Sequence, residues 1–440
     1  MDSDYLKTIS TDLIVAGGGL SGVMAAIGAK RTNPNIDVWI IEKYGFLGGM
    51  ATAGYVFPFM RYHAWDPAKR RFKRLSGGLF KEMLDIAHNK GYTEKRARHK
   101  DFYSRFDPIM LRCVLDEMVK KEGINILFHA IVNKVETAEN NGQRKNIEYM
   151  VAQTKAGEIK FISKDVVDAT GDADITYHSG CKTVKGRDED GLVQPGTLNF
   201  RMGNLSLLAP HRRFITKKIL KAKKAGNPLT PRDDCLMFKG SNNREMHFNQ
   251  TRVAQYDFTD PFDLTNAELE GREQAERFIQ FLRNEIWGYG NATVNSMGTQ
   301  IGIRESRRIA GEYTITADDL MECTQFDDRI GLGNYSIDIH DPTGSAETDI
   351  RRVPKGKWYS IPYRALVPKG IDNLIVAGRP ISSTHVAHSA IRIMPICSII
   401  GHAAGAAAGI KSMASENPPF KDLDTEKIQD TLREQGAILE

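Results

Sequence analysis

An apolar segment followed by three closely spaced glycines near the start of the chain most constrains its fold. Residues 13–16 form a continuous apolar run between two turn signals, which is typical of a strand buried on both faces of a parallel sheet. Gly17, Gly19 and Gly22 then open a helix. The first allows a tight turn, the second lets a pyrophosphate approach the backbone, and the third lets helix and strand pack closely. Because a helix N-terminus favours negative charge, the segment predicts a dinucleotide site.

An acidic residue follows at the spacing that such sites require. Residues 37–41 alternate into a second strand, and Glu42 stands at its tip. A carboxylate there can accept hydrogen bonds from a ribose diol, and it repels the extra phosphate of NADP. The position near the N-terminus and the pair Glu42-Lys43 resemble FAD enzymes of the glutathione-reductase-like superfamily. NAD is the second choice of ligand.

The composition describes a globular protein with more than one domain. The chain has 440 residues, of which 41% are hydrophobic and 26% charged, so it exceeds what a single core usually supports. The first residues contain two acids and no apolar core, so we expect no secretory signal and a cytoplasmic location.

Two further features narrow the class of protein. The five cysteines lie far apart without a C-x-x-C pair, which argues against a zinc site, an iron-sulfur cluster and a redox-active disulfide, so no metal site is predicted. Residues 393–410 are the most apolar stretch, but they contain Pro395, His402 and three glycines and are too short to cross a bilayer. We expect a buried helix there.

A second glycine-rich loop follows Glu42. Residues 44–54 include four glycines, so their backbone can lie flush against a flat ligand. In flavoproteins of the superfamily that the chain resembles, a Gly-Gly pair at this point runs beside the ribityl chain and the isoalloxazine, which here implies Gly48 and Gly49. An ordinary surface turn is the alternative.

The segment from Asp107 to Asp172 resembles the second half of the same FAD-binding fold. Asp107 and Pro108 begin a helix that ends at Gly123, a strand follows at 124–129, and residues 130–138, 146–154 and 158–162 alternate as a three-stranded meander. A buried strand at 166–168 then leads into an Ala-Thr-Gly turn. The resemblance implies that backbone near Val132 contacts adenine and that this turn closes over the dinucleotide.

The last apolar strand, at 373–378, returns the chain to its opening sheet. The helix that follows has Pro395 in its first turn, and its N-terminus would stabilise negative charge on a reduced flavin ring. Gly401, Gly405 and Gly409 recur at four-residue spacing, which predicts close helix packing and no chemistry.

Together these motifs resemble the broad bacterial family of FAD-dependent oxidoreductases. The fold class expected is α/β: a Rossmann-like FAD-binding domain with a parallel sheet and a β-meander, formed by residues 1–60, 101–180 and 356–415. Residues 61–100 and 181–355 would form a mixed α+β substrate-binding cap, and 416–440 a C-terminal tail. The residues predicted to bind FAD are Gly17, Gly19, Leu20, Ser21, Gly22, Glu42, Lys43, Gly48, Gly49, Met50, Ala51, Val132, Ala169, Thr170, Gly171, Gly378, Arg379, Met394 and Ile396.

Residues 61–100 are the basic part of the chain. They carry twelve Lys or Arg against four Asp or Glu, whereas the whole chain has a net charge of +5. A solvated or subunit-contact surface, an anionic substrate or partner, and nucleic acid are the three explanations, and we favour the first. His63 in this segment is a candidate substrate-binding residue, and Ser76 is expected to cap a helix that ends near Gly91.

The cap contains a dense charged motif at 301–309 and no second G-x-G-x-x-G. A separate nicotinamide domain is therefore not expected. Arg304 could bind a substrate carboxylate or phosphate, although such clusters more often form structural ion pairs, here with Glu305 and Glu312.

His385, His388 and Arg392 are the predicted catalytic residues. They precede the helix expected to face the flavin; imidazole titrates near neutral pH, and an arginine can hold an anionic substrate. Either histidine could equally be structural. Cys397 leaves covalent flavin attachment open.

Three functions remain after the sequence has been read. The first is a flavin dehydrogenase or reductase that moves a hydride between flavin N5 and a small, anionic or polyhydroxylated molecule. The second is an FAD-dependent RNA-modifying enzyme, suggested by the basic segment although no RNA-binding motif is visible. The third is a non-enzymatic carrier on a flavoprotein fold, against which the intact phosphate and ribose motifs argue. A homo-oligomer is possible under each of them.

Overall fold

A computed structural model gives the architecture of the chain. It describes residues 5–93, 103–140, 144–227, 229–240, 244–345 and 348–440. Within these residues the strands are β1 (Lys7–Ala16), β2 (Val38–Glu42), β3 (His63–Asp66), β4 (Arg71–Arg74), β5 (Asn125–Phe128), β6 (Ile131–Asn140), β7 (Arg144–Thr154), β8 (Gly157–Asp168), β9 (Thr183–Lys185), β10 (Phe200–Gly203), β11 (Met237–Lys239), β12 (Met246–Phe248), β13 (Thr293–Met297), β14 (Arg307–Ile309), β15 (Arg329–Gly333), β16 (Ile337–His340), β17 (Thr348–Arg351), β18 (Tyr359–Pro362) and β19 (Leu374–Val376). The α-helices of the same residues are α1 (Leu20–Thr32), α2 (Gly78–Asn89), α3 (Pro108–Lys121), α4 (Asp174–His178), α5 (Arg212–Lys224), α6 (Pro261–Glu285), α7 (Ala317–Met321), α8 (His385–Ile391), α9 (Met394–Met413) and α10 (Thr425–Glu434).

The main sheet has the order β5-β2-β1-β8-β7-β6, and β19 pairs with β8. Strands β5, β2, β1, β8 and β19 run parallel, and their carboxyl ends meet at one edge: Ala16 pairs with Ile41 and Asp168, and Asp168 also pairs with Val376. Ligands of α/β proteins collect at this edge. The expected parallel sheet with a β-meander is confirmed.

Strand β8 is longer than the sequence pattern predicts. The third meander strand and the buried strand at 166–168 are one continuous element, because Lys164 and Asp165 do not interrupt the extended backbone. Its first half pairs antiparallel with β7, and its second half pairs parallel with β19. A single strand therefore joins the meander to the parallel sheet. The turn predicted at Asn141-Gly142 lies outside the described residues.

Helices α1 and α9 lie unusually close together on one face of the sheet. A Cβ added at Gly401 would be 2.1 Å from the Ser21 carbonyl oxygen, and one at Gly405 would be 2.0 Å from that of Ala25. The packing role predicted for the α9 glycines is confirmed, and the helix is buried over nearly all its length.

A second, antiparallel sheet has the order β11-β12-β10-β13. It shares a separate core with α5 and α6, in which Phe200, Phe248 and Phe278 are fully buried. This part of the chain is the mixed α+β region that the sequence predicts after residue 180.

Helix boundaries differ from the prediction at two places. Ser76 does not cap α2, because the helix begins two residues later with Gly77 at the N-cap and no side-chain cap. The sequence pattern predicts a helix over 266–286, but α6 begins at Pro261, since Asp260 accepts hydrogen bonds from Phe262 and Asp263 and Pro261 occupies the first turn.

The basic segment forms an antiparallel hairpin, β3–β4, followed by α2. Lys73 lies over the ring of Trp358 and Arg74 over that of Tyr62, so part of this charge packs on the protein's own surface. Residues 94–100 lie outside the described part of the chain.

The described helices differ from a membrane span in length or hydropathy. No single one of them is long and apolar enough, and the pair α8 and α9, which together would be, bends by 92° at the break between them.

Candidate functional site

A cavity of about 720 Å³ opens at the carboxyl edge of the main sheet. Its volume lies in the range of ligand pockets. Eighteen of the residues predicted to bind cofactor or substrate or to act in catalysis line its wall: Gly17, Gly19, Leu20, Ser21, Glu42, Lys43, Gly48, Gly49, Met50, Ala51, Val132, Ala169, Thr170, Gly171, Arg304, Arg379, Arg392 and Met394.

The first glycine turn has the geometry that its spacing predicts. Gly17 has a φ of +103°, and a Cβ there would be 2.4 Å from the Ala169 carbonyl oxygen; one at Gly22 would be 1.9 Å from that of Gly17. Gly19 differs, because the nearest atom to its added Cβ is 3.8 Å away. Backbone at Gly19 therefore faces open cavity at the N-terminus of α1, where a diphosphate can approach.

Glu42 is almost fully buried at the tip of β2. Its Oε2 accepts a hydrogen bond of 2.6 Å from the Gly18 amide, and its Oε1 accepts one of 2.8 Å from Tyr44. Burial raises the pKa of this carboxyl, although the backbone donors oppose the shift. The carboxyl also lines the cavity, as a ribose-binding acid must.

The second glycine loop lies against the first. The Gly48 amide donates a 2.8 Å hydrogen bond to the Gly18 carbonyl, and Gly48 and Gly49 both have positive φ, of 110° and 52°. Met50 and Ala51 continue along the cavity wall. The loop thus forms part of the cavity wall.

The Ala-Thr-Gly turn after β8 completes this side of the cavity. Ala169 donates a 2.8 Å hydrogen bond to the Ala16 carbonyl, which holds the turn beside Gly17. Arg379 donates to the Gly171 carbonyl at 2.8 Å and pairs with Asp172 at 2.6 Å. Arg379 therefore secures the turn, and its charge is balanced by the protein.

These residues together fit FAD. The open backbone at Gly19, the carboxylate of Glu42, the loop at Gly48 and Gly49 and the N-terminus of α9 at Met394 all line one cavity. Helix α9 has 20 residues, and its first-turn amides favour negative charge at that end.

Six of the predicted residues do not line the cavity: Gly22, Gly378, Ile396, His63, His385 and His388. The first four have contacts elsewhere in the structure. Gly22 contacts the Gly17 carbonyl, Gly378 is pressed against Ser21, and Ile396 packs against Gly333. His63 pairs with Arg74 across the β3–β4 hairpin. The predicted contact of these residues with a ligand stays a prediction.

The two predicted catalytic histidines also lie behind the cavity wall. His385 Nδ1 is 2.9 Å from Oε1 of the fully buried Glu305. His388 is fully buried, and neither of its ring nitrogens has a hydrogen-bond partner among the described residues. Burial together with the charge of Arg308 lowers its pKa well below the usual range. They lie off the wall because α8 faces the core.

The charged motif at 301–309 divides into structural and cavity-facing residues. Arg307 pairs with Asp174, and Arg308 with Glu305, so these two arginines form the structural ion pairs. Glu312 pairs with Arg144 at 3.5 Å. Arg304 instead faces the cavity, and among the described residues it has no carboxylate partner.

Arg252, Arg304 and Arg392 form what we call the arginine wall, opposite the glycine loops in the same cavity. Arg304 donates to the carbonyl of Pro195 at 2.7 Å and to the hydroxyl of Thr197 at 2.6 Å. Within the part of the chain that the structure describes, the Arg392 guanidinium reaches only the Gln194 side-chain oxygen, at 3.4 Å, and its buried Nε has no partner.

The three guanidinium groups repel one another. Burial and the charges of Arg392 and Arg252 lower the pKa of Arg304 well below its usual range, and burial and the charge of Arg232 lower that of Arg252. Within the described residues, no ion pair links the wall to a carboxylate, although Asp338 offsets part of its charge. Such a surface favours an anionic ligand.

Tyr335, Asp338 and His340 stand beside the wall. The Tyr335 hydroxyl donates a 3.0 Å hydrogen bond to Asp338 Oδ2, and His340 Nε2 is 3.9 Å from the same oxygen. Arg252 Nη2 lies 3.1 Å from His340 Nδ1. Since an arginine only donates, Nδ1 accepts and the proton of the neutral ring is on Nε2. Burial and Arg304 lower the pKa of His340, so the ring is neutral near pH ~7.

The sequence did not reveal Arg252, Tyr335, Asp338 or His340 as site residues. They come from two distant segments, in and next to β12 and β16, and stand in no local motif. Only the fold brings them to the cavity.

Comparisons with known proteins agree with the cavity's character. The sequence model of a family described as FAD dependent oxidoreductase matches residues 12–432. No curated protein matches the chain significantly.

Solved structures give more distant likenesses. A geranylgeranyl bacteriochlorophyll reductase-like protein from Thermoplasma acidophilum is 12% identical, with a TM-score of 0.47 over 98% of this chain and 85% of that one. The p-nitrophenol 4-monooxygenase from Pseudomonas putida is 12% identical, with a TM-score of 0.45 over 97% and 84%. The myxobacterial chondrochloren halogenase is 13% identical, with a TM-score of 0.43 over 96% and 78%. At these identities and scores the likenesses say nothing about a substrate.

Proposed function

The chain belongs to the FAD-dependent oxidoreductase family, and we propose that it transfers a hydride between FAD and a small anionic molecule. The order of the main sheet and its meander supports a place in the glutathione-reductase-like superfamily. Bound FAD supplies a ring nitrogen, N5, that accepts or donates a hydride.

The cofactor half of the proposal rests on the cavity residues of the two glycine loops and on Glu42. The amides at the start of α1 would hold the diphosphate, Glu42 the ribose, and backbone near Val132 the adenine. Residues of the Gly48-Gly49 loop and the N-terminus of α9 would then hold the ring.

The arginine wall is the single observation that carries the substrate half. Arg304 and Arg392 line the cavity without a carboxylate partner among the described residues, and the Arg392 Nε is buried and unpaired. Burying a charge without a partner costs roughly several kcal/mol. An anionic ligand bound between these guanidinium groups would offset that cost. A carboxylate or a phosphate ester has that charge and fits the fork of a guanidinium.

The groups beside the wall can move a proton when the hydride moves. Asp338 can accept the proton of a substrate hydroxyl, with Tyr335 as donor to its carboxylate. Burial and the charge of Asp338 raise the pKa of Tyr335, so the phenol stays protonated. His340 can donate its Nε2 proton as a hydrogen bond to a substrate carbonyl, because Arg252 fixes the tautomer.

His385 and His388 fit an indirect role better than contact with a substrate. The Glu305 carboxylate accepts hydrogen bonds from His385 and Arg308. It also accepts one of 3.0 Å from the backbone N–H of Gln194. Gln194 in turn holds Arg392. His385 would therefore help to position the arginine wall.

An anaerobic titration tests this function. The purified holoenzyme is mixed with small hydroxy acids, phosphate esters and neutral polyols, and bleaching of the flavin absorbance is followed. We expect an anionic compound to bleach the flavin and its neutral analogue to be inactive. Bleaching by neutral polyols alone would contradict the assignment of the arginine wall.

A further inference from the structure

The outer face of α5 carries an exceptional positive charge. The helix contains seven Lys or Arg and no Asp or Glu. Two of the cations are paired with neighbours: Arg212 with Asp234, and Lys223 with Asp233 at 2.6 Å. The inner face is fixed by Ile215, which is fully buried together with Ile219.

Of the five remaining cations, Lys218 is half-buried over the Phe214 ring, and the other four point to solvent. Arg213, Lys217 and Lys221 follow one another at four-residue spacing, and Lys224 continues the same face. All four are exposed, and within the described residues none of them has an ion-pair partner. Nothing in this part of the structure therefore compensates the charge.

Large apolar side chains surround this charged face. Leu207 and Leu208, just before the helix, are 68% and 75% exposed, and Trp287 is 54% exposed. The Ser206 amide donates a 3.1 Å hydrogen bond to the Gly288 carbonyl, which brings the two apolar segments together. Phe214 and Leu220 add exposed apolar surface on either side of the cations.

Cations and exposed apolar groups in one surface match the interface of a bilayer that contains anionic phospholipids. Lys and Arg are attracted to the negative surface potential, each by about 1 kcal/mol, while Leu and Trp side chains enter the headgroup boundary. RNA would explain the charge, but single-stranded RNA is bound by stacking, and the two most exposed side chains are aliphatic.

We propose that this surface attaches the protein peripherally to membranes that contain anionic phospholipids. We name it the α5 surface, and it consists of Leu207, Leu208, Arg213, Phe214, Lys217, Leu220, Lys221, Lys224 and Trp287. Because Arg212 at the start of α5 also lines the cavity, the α5 surface begins at the cavity's rim. The attachment does not depend on which molecule the cavity oxidises or reduces.

Co-sedimentation of the purified full chain with vesicles tests the proposal. The vesicles contain phosphatidylcholine alone or phosphatidylcholine with phosphatidylglycerol. We expect binding to the anionic vesicles only, and weakening of that binding as salt is added. Equal absence of binding to both kinds of vesicle would overturn the proposal.

Two double variants separate the two components of the surface. Lys217→Glu/Lys221→Glu is expected to weaken vesicle binding at least about tenfold, and Leu207→Ser/Leu208→Ser several-fold, roughly. Lys120→Glu/Lys121→Glu on α3 makes the same charge change at another exposed pair and should bind like the wild type. Flavin content and circular dichroism verify that each variant is folded.

RNA binding by the wild type and vesicle binding by the leucine variant distinguish lipid from nucleic acid. If the wild type binds single-stranded RNA but not anionic vesicles, the proposal is wrong and the α5 surface is a nucleic-acid site. If vesicle binding is unchanged in the leucine variant, the apolar contribution is wrong and the proposal falls with it.

Discussion

Glu42 has two carboxylate oxygens that are held by backbone amides before any ligand arrives. One amide belongs to the first glycine turn and the other to the segment that leads into the second glycine loop. The residue therefore fixes the relative position of both loops and presents a buried negative charge to the cavity. The proposed ribose-binding role of this carboxylate can be tested by substitution.

Replacing Glu42 with Ala should lower the affinity for FAD at least about tenfold. The change removes acceptors for two amides and for the ribose, and lost hydrogen bonds to a charged group cost about 1.5–3 kcal/mol each. Fluorescence titration of the apoprotein with FAD measures the effect. Glu42→Gln keeps one side-chain acceptor, so its affinity for FAD should lie between those of the wild type and Glu42→Ala. Stoichiometric FAD after purification of the alanine variant would contradict the ribose assignment.

Replacing Arg304 or Arg392 with Met should abolish most of the affinity for anions. Each guanidinium supplies a charge-assisted contact, so we expect a loss of about tenfold or more in the dissociation constant of the anionic compound that bleaches the flavin. Equilibrium titration of the oxidised holoenzyme, followed by the shift of its flavin spectrum, gives this constant.

Arg307→Met is the matched control from the same motif. Its guanidinium is committed to Asp174, so the variant should lose stability and keep its anion affinity. If all three variants bound anions as the wild type does, the arginine wall would have no role in binding.

At the scale of single residues, the sequence predicts a site residue when that residue belongs to a local motif. Gly17, Gly19 and Glu42 belong to one local motif with a mechanical reason for each position. The chemistry of His385 and His388 and their place before α9 make them candidates for catalysis, but the direction of a side chain on α8 depends on packing. Arg252 and His340 meet only through the tertiary fold.

Among the secondary-structure elements, the close packing of α1 against α9 holds the first glycine turn in position. Gly401→Ala or Gly405→Ala would put a Cβ about 2 Å from a carbonyl oxygen of α1. The helices must then separate, which we expect to cost about 2–3 kcal/mol and to lower the FAD content. Chemical denaturation and the flavin-to-protein absorbance ratio measure the two effects.

Gly271→Ala provides a control for the same change in another helix. In α6 the nearest atom to the added Cβ is on the Leu198 side chain, 3.2 Å away. The variant should stay within about 1 kcal/mol of the wild type, because alanine's helix propensity offsets a small adjustment. Equal losses in both helices would show that the α1–α9 contact has no special role.

A buried ion pair joins α9 to β8 and makes stability depend on pH. Lys411 Nζ is 3.0 Å from Asp165 Oδ1, and both side chains are almost fully buried. Burial raises the pKa of Asp165 to about 6, although Lys411 opposes the shift. Because the folded pKa exceeds the unfolded one, this carboxyl favours the folded state most at low pH, and that contribution is lost as the pH rises through about 6.

Lys411→Met should therefore destabilise the protein by about 3 kcal/mol at about pH 8, since it leaves a buried carboxylate unpaired. The deficit should shrink as the pH falls below about 6, where Asp165 is protonated. Denaturation across this range measures it. Asp165→Asn/Lys411→Met removes both charges and should lie within about 1 kcal/mol of the wild type. A deficit independent of pH would contradict the assignment to Asp165.

The elements themselves were predictable where periodicity and caps are strong. Asp107 caps α3 as expected, with Pro108 in its first turn, and β19 returns to the main sheet. The continuity of β8 was not predictable, because two charged residues divide its apolar pattern. Asp165 is nevertheless buried there, since Lys411 arrives from the other end of the chain.

For the whole molecule, the cavity is assembled from segments at both ends and in the middle of the chain. The glycine loops come from the first 60 residues, the arginine wall from Arg252, Arg304 and Arg392, and the helix N-terminus from α9. Local motifs predict the first and last of these. The division into a discontinuous FAD-binding domain and a cap stays a prediction, and the substrate's identity depends on a wall that no local pattern describes.

The most direct test of this account is the FAD content of the folded, full-length protein. The native protein is purified, its visible spectrum is recorded, and the apoprotein is titrated with FAD. We predict a yellow protein that holds one FAD per chain, released on denaturation unless Cys397 attaches it covalently, and reduced occupancy in Glu42→Ala. A folded protein that is colourless and takes up no FAD would contradict the central claim.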